Sequence, residues 1–114
     1  MFRVHLSQSF QRSVRRLRRR YRHLTDDLEA AIEWLLLQPQ LGVVIRGLPA
    51  VRKLRIPSTD MDRGKSGGFR LLYTIDRPSN RIILLFLYAK PERENVSAAE
   101  IETLLREALT EEGS

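Results

Sequence analysis

Cysteine is absent from this chain of 114 residues, and long apolar runs are scarce. The lack of cysteine excludes disulfide bonds, thiolate metal ligands and cysteine nucleophiles. The longest apolar run, residues 82–89, is far shorter than the roughly 20 residues that a membrane-spanning helix needs. The N-terminus also lacks the apolar core of a secretory signal. We therefore expect a soluble cytoplasmic protein without a membrane partner.

Several common catalytic patterns are also missing. The two histidines, His5 and His23, show no metal-ligand spacing. No glycine-rich phosphate loop precedes a predicted helix, no serine lies in a nucleophile elbow, and no carboxylate pair is spaced for acid–base catalysis. We therefore expect neither a metal ion nor a cofactor.

The length fits a single domain spanning residues 1–114, and 42% hydrophobic with 30% charged residues is an ordinary globular composition. The formal net charge of +6 is unevenly distributed. Residues 1–22 hold eight arginines and no acid, whereas the chain from Glu94 onward holds six acids and only Arg106 as a cation. Such segregation favours a polyanion at one face and a basic partner at another. The preference for arginine over lysine suits phosphate binding, although a GC-rich genome explains it equally well.

Hydrophobic periodicity predicts the element order β-α-α-β-β-β-β-α. Ser7 is placed to cap a first helix, Asp26 and Glu29 to open a second, and Ser97 with Glu100 to open the last. The apolar stripe of the first helix comprises Phe10, Val14, Leu17, Tyr21 and Leu24. The predicted strands cover residues 1–6, 43–45, 51–56, 69–75 and 82–88. This order indicates an α+β fold in which an N-terminal helical hairpin packs on a mainly antiparallel twisted sheet of four to five strands, with a C-terminal helix.

Cations recur where two predicted strands flank a polar loop. Lys53 and Arg55 lie two residues apart on one strand and project from the same face, and Arg70 begins the next strand. If these strands are antiparallel neighbours, the three cations converge on one sheet surface, which is suited to binding a phosphodiester backbone.

Further cations could join this surface. Arg63 and Lys65 lie in the predicted loop of residues 58–68, and Lys90 follows the last strand. The alternative interpretation is a solvated sheet face that is neutralised by salt bridges to Asp60 and Asp62.

Four segments together resemble the RelE/HigB toxins. These are residues 53–56 (KLRI), 63–73 (RGKSGGFRLLY), 87–90 (LYAK) and 95–97 (NVS). The resemblance extends from Phe10 to about Leu105 in the same element order, and it is strongest to the HigB-like branch with the glycine-pair motif.

The resemblance implies the toxin half of a bacterial type II toxin–antitoxin pair with a RelE-like microbial RNase fold. Such toxins enter the ribosomal A site and cut the messenger there, which implies the 70S ribosome and mRNA as partners. An antitoxin protein silences them, and we expect a neighbouring gene to encode one with a DNA-binding domain. The oligomeric state is not indicated.

The resemblance assigns Lys53 and Arg55 to the paired strand cations of the family, and Arg70 to the arginine that follows the glycine and the aromatic residue. Two positions depart from RelE: Pro91 replaces an arginine and Ser97 replaces the tyrosine that acts as general base. Tyr73 and Tyr88 are the remaining phenols near this face, and each also fits an ordinary buried aromatic residue.

These assignments predict an endoribonuclease that needs no metal ion, an mRNA interferase. Arg55 and Arg70 would hold the scissile phosphate, while Lys53, with its pKa lowered by neighbouring cations, or Tyr88 would transfer protons. Further RNA contacts are expected from Arg63, Lys65, Lys90, Arg15, Arg16 and Arg19, the last three on a helix facing ribosomal RNA. The alternatives are a ParE-like poison of DNA gyrase, which the missing tyrosine favours, and a catalytically decayed module that binds RNA or antitoxin.

Overall fold

Eight elements and one short 3₁₀ turn form the chain in the computed structural model, which describes residues 1–61 and 67–112. In chain order they are β1 (Arg3–Leu6), α1 (Gln8–Arg18), α2 (Leu24–Leu37), the 3₁₀ turn (Pro39–Leu41), β2 (Val43–Ile45), β3 (Leu48–Ile56), β4 (Phe69–Asp76), β5 (Arg81–Ala89) and α3 (Ala98–Glu112). None of the helices within this part of the chain is long and apolar enough to cross a membrane.

The strands form one five-stranded sheet in the order β1-β5-β4-β3-β2. Strand β1 runs parallel to β5, and the other three pairings are antiparallel. The predicted α+β class, helical hairpin, mainly antiparallel sheet and C-terminal helix are therefore confirmed.

Helices cover the two sheet faces unequally. The α1–α2 hairpin packs on one face through Phe10, Leu17 and Leu35, whereas α3 covers part of the other face through Ile101 and Ala108. Strand β5 contributes alternately to both cores, which explains its nearly continuous apolar sequence. The part of the second face that α3 leaves uncovered is where the cations lie.

The first helix begins as predicted but ends early. The Ser7 hydroxyl accepts a hydrogen bond from the backbone N–H of Phe10 at 3.1 Å, and α1 ends at Arg18. The predicted helical stripe is therefore wrong beyond Arg18, although Tyr21 and Leu24 still enter the core. The turn between the hairpin helices places Tyr21 edge-on against Phe69, with ring centroids 5.2 Å apart.

The predicted capping box at Asp26 is also wrong. Helix α2 begins at Leu24 with His23 as its N-cap and no side-chain cap. The neighbouring Asp27 carboxylate instead accepts hydrogen bonds from the N–H of Thr59 at 2.8 Å and from its hydroxyl at 2.6 Å. The start of α2 is thereby tied to the segment that follows β3.

The capping box of the last helix is confirmed. The Ser97 hydroxyl accepts from the N–H of Glu100 at 3.1 Å, and the Glu100 carboxylate accepts from the N–H of Ser97 at 3.2 Å. This cap fixes where α3 begins, directly beside the exposed part of the sheet.

Candidate nucleic-acid interface

Three polar side chains lie in one line across the sheet. Arg55 on β3 is directly opposite Arg70 on β4, and Arg70 is directly opposite Tyr88 on β5. Opposed residues of an antiparallel pair project from the same face, with Cβ atoms roughly 4.5–5.5 Å apart. We call these three residues the cationic row. The predicted convergence of the strand cations is therefore observed.

A second line of residues runs beside the cationic row, offset from it by two residues on β3, β4 and β5. It comprises Val43, Lys53, Leu72 and Phe86, each opposite the next on strands β2, β3, β4 and β5. Leu72 is buried in the core beneath α3, and Phe86 packs against that core while remaining half-buried. Both lines thus occupy the α3 face of the sheet, opposite the helical hairpin.

Lys53 lies in a cationic and partly desolvated environment. Burial lowers the pKa of Lys53, and the nearby charges of Lys90 and Arg70 lower it further. Its ammonium group donates a hydrogen bond to the Asn95 side chain at 3.4 Å. The pKa of Lys53 is thus lowered in the expected direction, with burial as the largest cause and the neighbouring cations second.

Arg70 is anchored to the start of its own strand. Its guanidinium donates to the carbonyl oxygens of Gly67 at 2.9 Å and Phe69 at 3.3 Å. Burial lowers the pKa of Arg70, and the charge of Arg55 across the ladder lowers it further. The arginine nevertheless stays charged at any physiological pH. Its orientation is thus set by backbone carbonyls near the loop, which positions one positive charge in the middle of the row.

The two candidate tyrosines have different roles. Tyr88 is 1% exposed, and its hydroxyl has no hydrogen-bond partner within the described residues. Burial raises its pKa, while Arg70 and Arg93 act in the opposite direction. Tyr88 is therefore protonated at neutral pH and able to donate a hydrogen bond.

Tyr73 belongs to the opposite, hairpin face. Its hydroxyl donates to the carbonyl of Pro39 at 2.7 Å and accepts from the N–H of Gly42 at 2.8 Å. Burial raises its pKa. It is a structural residue that joins the 3₁₀ turn to the sheet, and it is not part of the candidate interface.

The segment after β5 adds a cation that the sequence interpretation missed. The guanidinium carbon of Arg93 lies 5.8 Å from the centroid of the Phe86 ring, and Arg93 also pairs with Glu100. Its charge acts on Tyr88. Nothing in its spacing distinguished it from other surface arginines. Lys90, which was predicted, lies close enough to affect Lys53 while donating to the backbone carbonyl of Glu94 at 2.7 Å.

The other predicted RNA contacts are separate from this surface or outside the described residues. Arg15, Arg16 and Arg19 are exposed on or just after α1, in the layer on the far side of the sheet. Arg16 lies 3.6 Å from the Glu92 carboxylate. Arg63 and Lys65 lie outside the described residues.

The predicted counter-ions of the interface also differ. Asp60 accepts hydrogen bonds from the ring and the backbone N–H of His23, at 2.7 and 2.8 Å. This pairing satisfies the Asp60 carboxylate at the hairpin turn. Asp62 lies outside the described residues.

The fold is shared with a known class of bacterial toxins. The structure is similar to that of the E. coli toxin RelE in the free state, solved as a double arginine-to-alanine variant. The two superimpose with a TM-score of 0.54 over 96% of each chain, at 16% sequence identity. The chain therefore has the RelE-type α+β fold with a cationic sheet face.

The family follows from the sequence itself. Residues 4–91 match the family described as the ParE toxin of the type II toxin–antitoxin system parDE, and the chain belongs to this family. It is thus a type II toxin of the RelE/ParE superfamily, for which a cognate antitoxin is the implied partner. The matched range includes the cationic row, Lys53 and Lys90, whereas Arg93 and α3 follow it.

Proposed function

We propose that this toxin is an mRNA interferase, an endoribonuclease that cleaves translated messenger in the ribosomal A site. The observation that carries the proposal is the cationic row, in which Arg55, Arg70 and Tyr88 oppose one another on three adjacent strands beside Lys53. RNA cleavage by the 2′-hydroxyl requires a base, positive charges that stabilise the phosphorane and an acid for the leaving oxygen. The site offers a lysine with a lowered pKa, two permanent positive charges and a protonated phenol for these tasks.

Each group has one task in the reaction. Neutral Lys53 accepts the proton of the 2′-hydroxyl, whose oxygen then attacks the adjacent phosphorus. Arg55 and Arg70 stabilise the additional negative charge of the phosphorane. The bond to the 5′-oxygen breaks, that oxygen takes a proton from Tyr88, whose buried hydroxyl must be uncovered when the messenger binds, and a 2′,3′-cyclic phosphate remains. Tyr88 then regains a proton from solvent and Lys53 releases its proton to solvent, which restores both groups with no net change in protons.

Dependence on the ribosome follows from the shape of the surface. Arg55 is exposed and Arg70 half-buried on this sheet face, with Tyr88 buried beside them, and a single-stranded messenger is flexible. Holding the messenger in one geometry can lower the barrier by several kcal/mol, and the ribosome would supply this orientation. The arginines of α1 are on the other layer and would contact ribosomal RNA. The HigB-like assignment stays a prediction, since the family that the chain matches is described as the ParE toxin.

Cleavage of a translated message tests the proposal. Purified toxin is added to initiated 70S ribosomes, and primer extension maps the 5′ ends that appear with and without ribosomes. Arg70→Ala should lower the cleavage rate by about 10²–10³, the effect of removing one transition-state charge donor. Arg77→Ala is the matched control, because Arg77 is exposed in the turn beyond the other end of β4, roughly 20 Å away at about 3.3 Å per residue. Equal rates in the two variants would remove Arg70 from the mechanism.

A second candidate function, poisoning of DNA gyrase, is favoured by the family description itself. The two functions give different products from the same protein preparation. A gyrase poison would inhibit plasmid supercoiling and trap cleaved plasmid without cutting messenger, and its activity should survive Arg70→Ala. A wild-type protein that does neither but still binds RNA or antitoxin would indicate a catalytically decayed toxin.

A further inference from the structure

A groove of about 410 Å³ lies beside the cationic row, between the end of β5 and the first turns of α3. Its main lining residues are Phe86, Arg93, Val96, Glu100, Thr103 and Leu104. The volume is within the roughly 300–1,000 Å³ range of small-ligand pockets. We call it the Phe86 groove.

The floor of the groove is an aromatic ring that the core does not fully enclose. Phe86 is half-buried, whereas the other apolar side chains of β5 are buried. Its ring centroid lies 6.3 Å from that of Tyr88, with the planes tilted by 30°. Phe86 lies on the same sheet face as Tyr88, two residues away, and diagonally across the ladder from Arg70, so the groove lies beside the cationic row.

The rim of the groove carries one fixed cation and one fixed anion. The Arg93 guanidinium lies over the Phe86 ring and forms an ion pair with the Glu100 carboxylate. The hydrogen bond from Arg93 is the largest cause that lowers the pKa of Glu100, so its carboxylate is ionised at neutral pH. Val96 and Leu104 complete apolar walls.

We propose that the Phe86 groove binds one base of the RNA, the base adjacent to the phosphate held by Arg70. This inference rests on the proposed function. Single-stranded RNA is recognised where unstacked bases lie on aromatic rings or guanidinium planes, and the groove offers both beside a phosphate-binding surface. The Arg93–Glu100 pair supplies a donor and an acceptor at the base edge, so the groove makes cleavage depend on the identity of that base.

The cleavage pattern tests the groove by a substitution that keeps apolar volume but removes the ring. Phe86→Leu should lower the cleavage rate about tenfold, the loss expected for one base stack, and should change which positions of a message are cut. Phe2→Leu is the matched control, since Phe2 packs against the hairpin-side core. If wild-type protein cleaves and the two variants cut with the same rate and pattern, the groove does not bind a base.

A binding measurement keeps the inference testable whether or not the protein cleaves RNA. The four nucleoside 5′-monophosphates and ribose 5-phosphate are titrated into the wild-type protein, and backbone amide NMR shifts are followed. Shifts at Phe86, Val96 and Thr103 with nucleotides, but not with ribose 5-phosphate, support base binding even if cleavage is absent and the proposed function fails. Equal shifts with ribose 5-phosphate, or none at these amides with any nucleotide, overturn it.

Discussion

The two buried tyrosines on opposite faces of the sheet permit a matched test of structure against function. The Tyr73 hydroxyl joins Pro39 and Gly42 by two hydrogen bonds, whereas the Tyr88 hydroxyl has no partner within the described residues. Replacing either tyrosine by phenylalanine removes one oxygen atom and nothing else. The same chemical change should therefore have opposite consequences at the two positions.

The cost of Tyr73→Phe follows from the groups that lose their partner. The backbone N–H of Gly42 and the carbonyl of Pro39 belong to buried residues, and each unsatisfied group costs about 1–3 kcal/mol. We expect a net loss of about 2–4 kcal/mol, with some relaxation of the turn. For a domain of this size that lowers the melting temperature by roughly 8–16 °C, at about 4 °C per kcal/mol.

Tyr88→Phe should leave stability unchanged or raise it by up to about 1 kcal/mol, because the hydroxyl that it removes is buried and has no hydrogen-bond partner among residues 1–61 and 67–112. Its effect falls on catalysis instead. If the phenol donates the leaving-group proton, the cleavage rate should fall by about 10²–10⁴, while Tyr73→Phe keeps the wild-type rate well below its melting temperature.

Urea and thermal unfolding followed by circular dichroism, with ribosome-dependent cleavage of the same samples, measure both quantities. A Tyr88→Phe variant destabilised as strongly as Tyr73→Phe would show that the Tyr88 hydroxyl is structural. A fully stable Tyr73→Phe variant would refute the hydrogen-bond reasoning.

Three further predictions concern other parts of the molecule. Ser13→Ala should lower the free energy of unfolding by about 1–3 kcal/mol, because the buried hydroxyl accepts a hydrogen bond from the N–H of Leu87 at 3.0 Å. Urea titrations measure this loss, and Ser9→Ala, which removes a side-chain hydrogen bond from Arg12, is the control. Because the pKa of Lys53 is lowered, the unfolded chain binds this proton more tightly, so stability should rise with pH between the lowered pKa and the ordinary value of about 10.4. The cleavage rate should rise with pH up to the lowered pKa of Lys53 and stay constant above it. Lys53→Met should abolish the pH dependence of stability and that of the cleavage rate. A variant whose rate and stability vary with pH as in the wild type would contradict the assignment. Replacing Arg15, Arg16 and Arg19 by glutamine should weaken ribosome binding but leave the maximal cleavage rate unchanged. The slope of log affinity against log salt concentration should fall by about 0.7–0.9 for each phosphate that is no longer neutralised. A lower maximal rate at saturating ribosomes would place α1 at the cleavage site.

The sequence predicts the sheet better than the hairpin. Alternation along β3 and β4 identified these strands and placed Lys53 and Arg55 on one face, whereas the nearly continuous apolar run identified β5 as a strand covered on both faces. The end of α1 was missed because Tyr21 and Leu24 continue the helical spacing, although Tyr21 is buried from the turn and Leu24 from the start of α2. Burial at a given spacing does not require an unbroken helix.

The candidate interface was predictable only as far as strand pairing could be inferred. Taking β3 and β4 as antiparallel neighbours predicted that Lys53, Arg55 and Arg70 share one sheet surface, but the pairing of Arg55 with Arg70 and the register of Tyr88 come only from the structure. Arg93 was missed because its position depends on how the chain turns after β5 to reach the Ser97 cap. Asp60 was assigned to the wrong partner because His23, 37 residues away, is brought beside it only by the packing of the hairpin.

Under the proposed mechanism, electrostatic linkage gives the arginines a second role beside the lysine. Burial and neighbouring cations favour the neutral form of Lys53 in the free protein, but a bound phosphodiester brings a negative charge that raises the pKa again. A single lysine on this surface would therefore become a poorer base as soon as substrate bound. Arg55 and Arg70 remain charged and offset the phosphate charge, which keeps Lys53 able to lose its proton. Loss of Arg70, whose charge acts on Lys53, should thus shift the pH profile of cleavage to higher pH as well as lower its maximum.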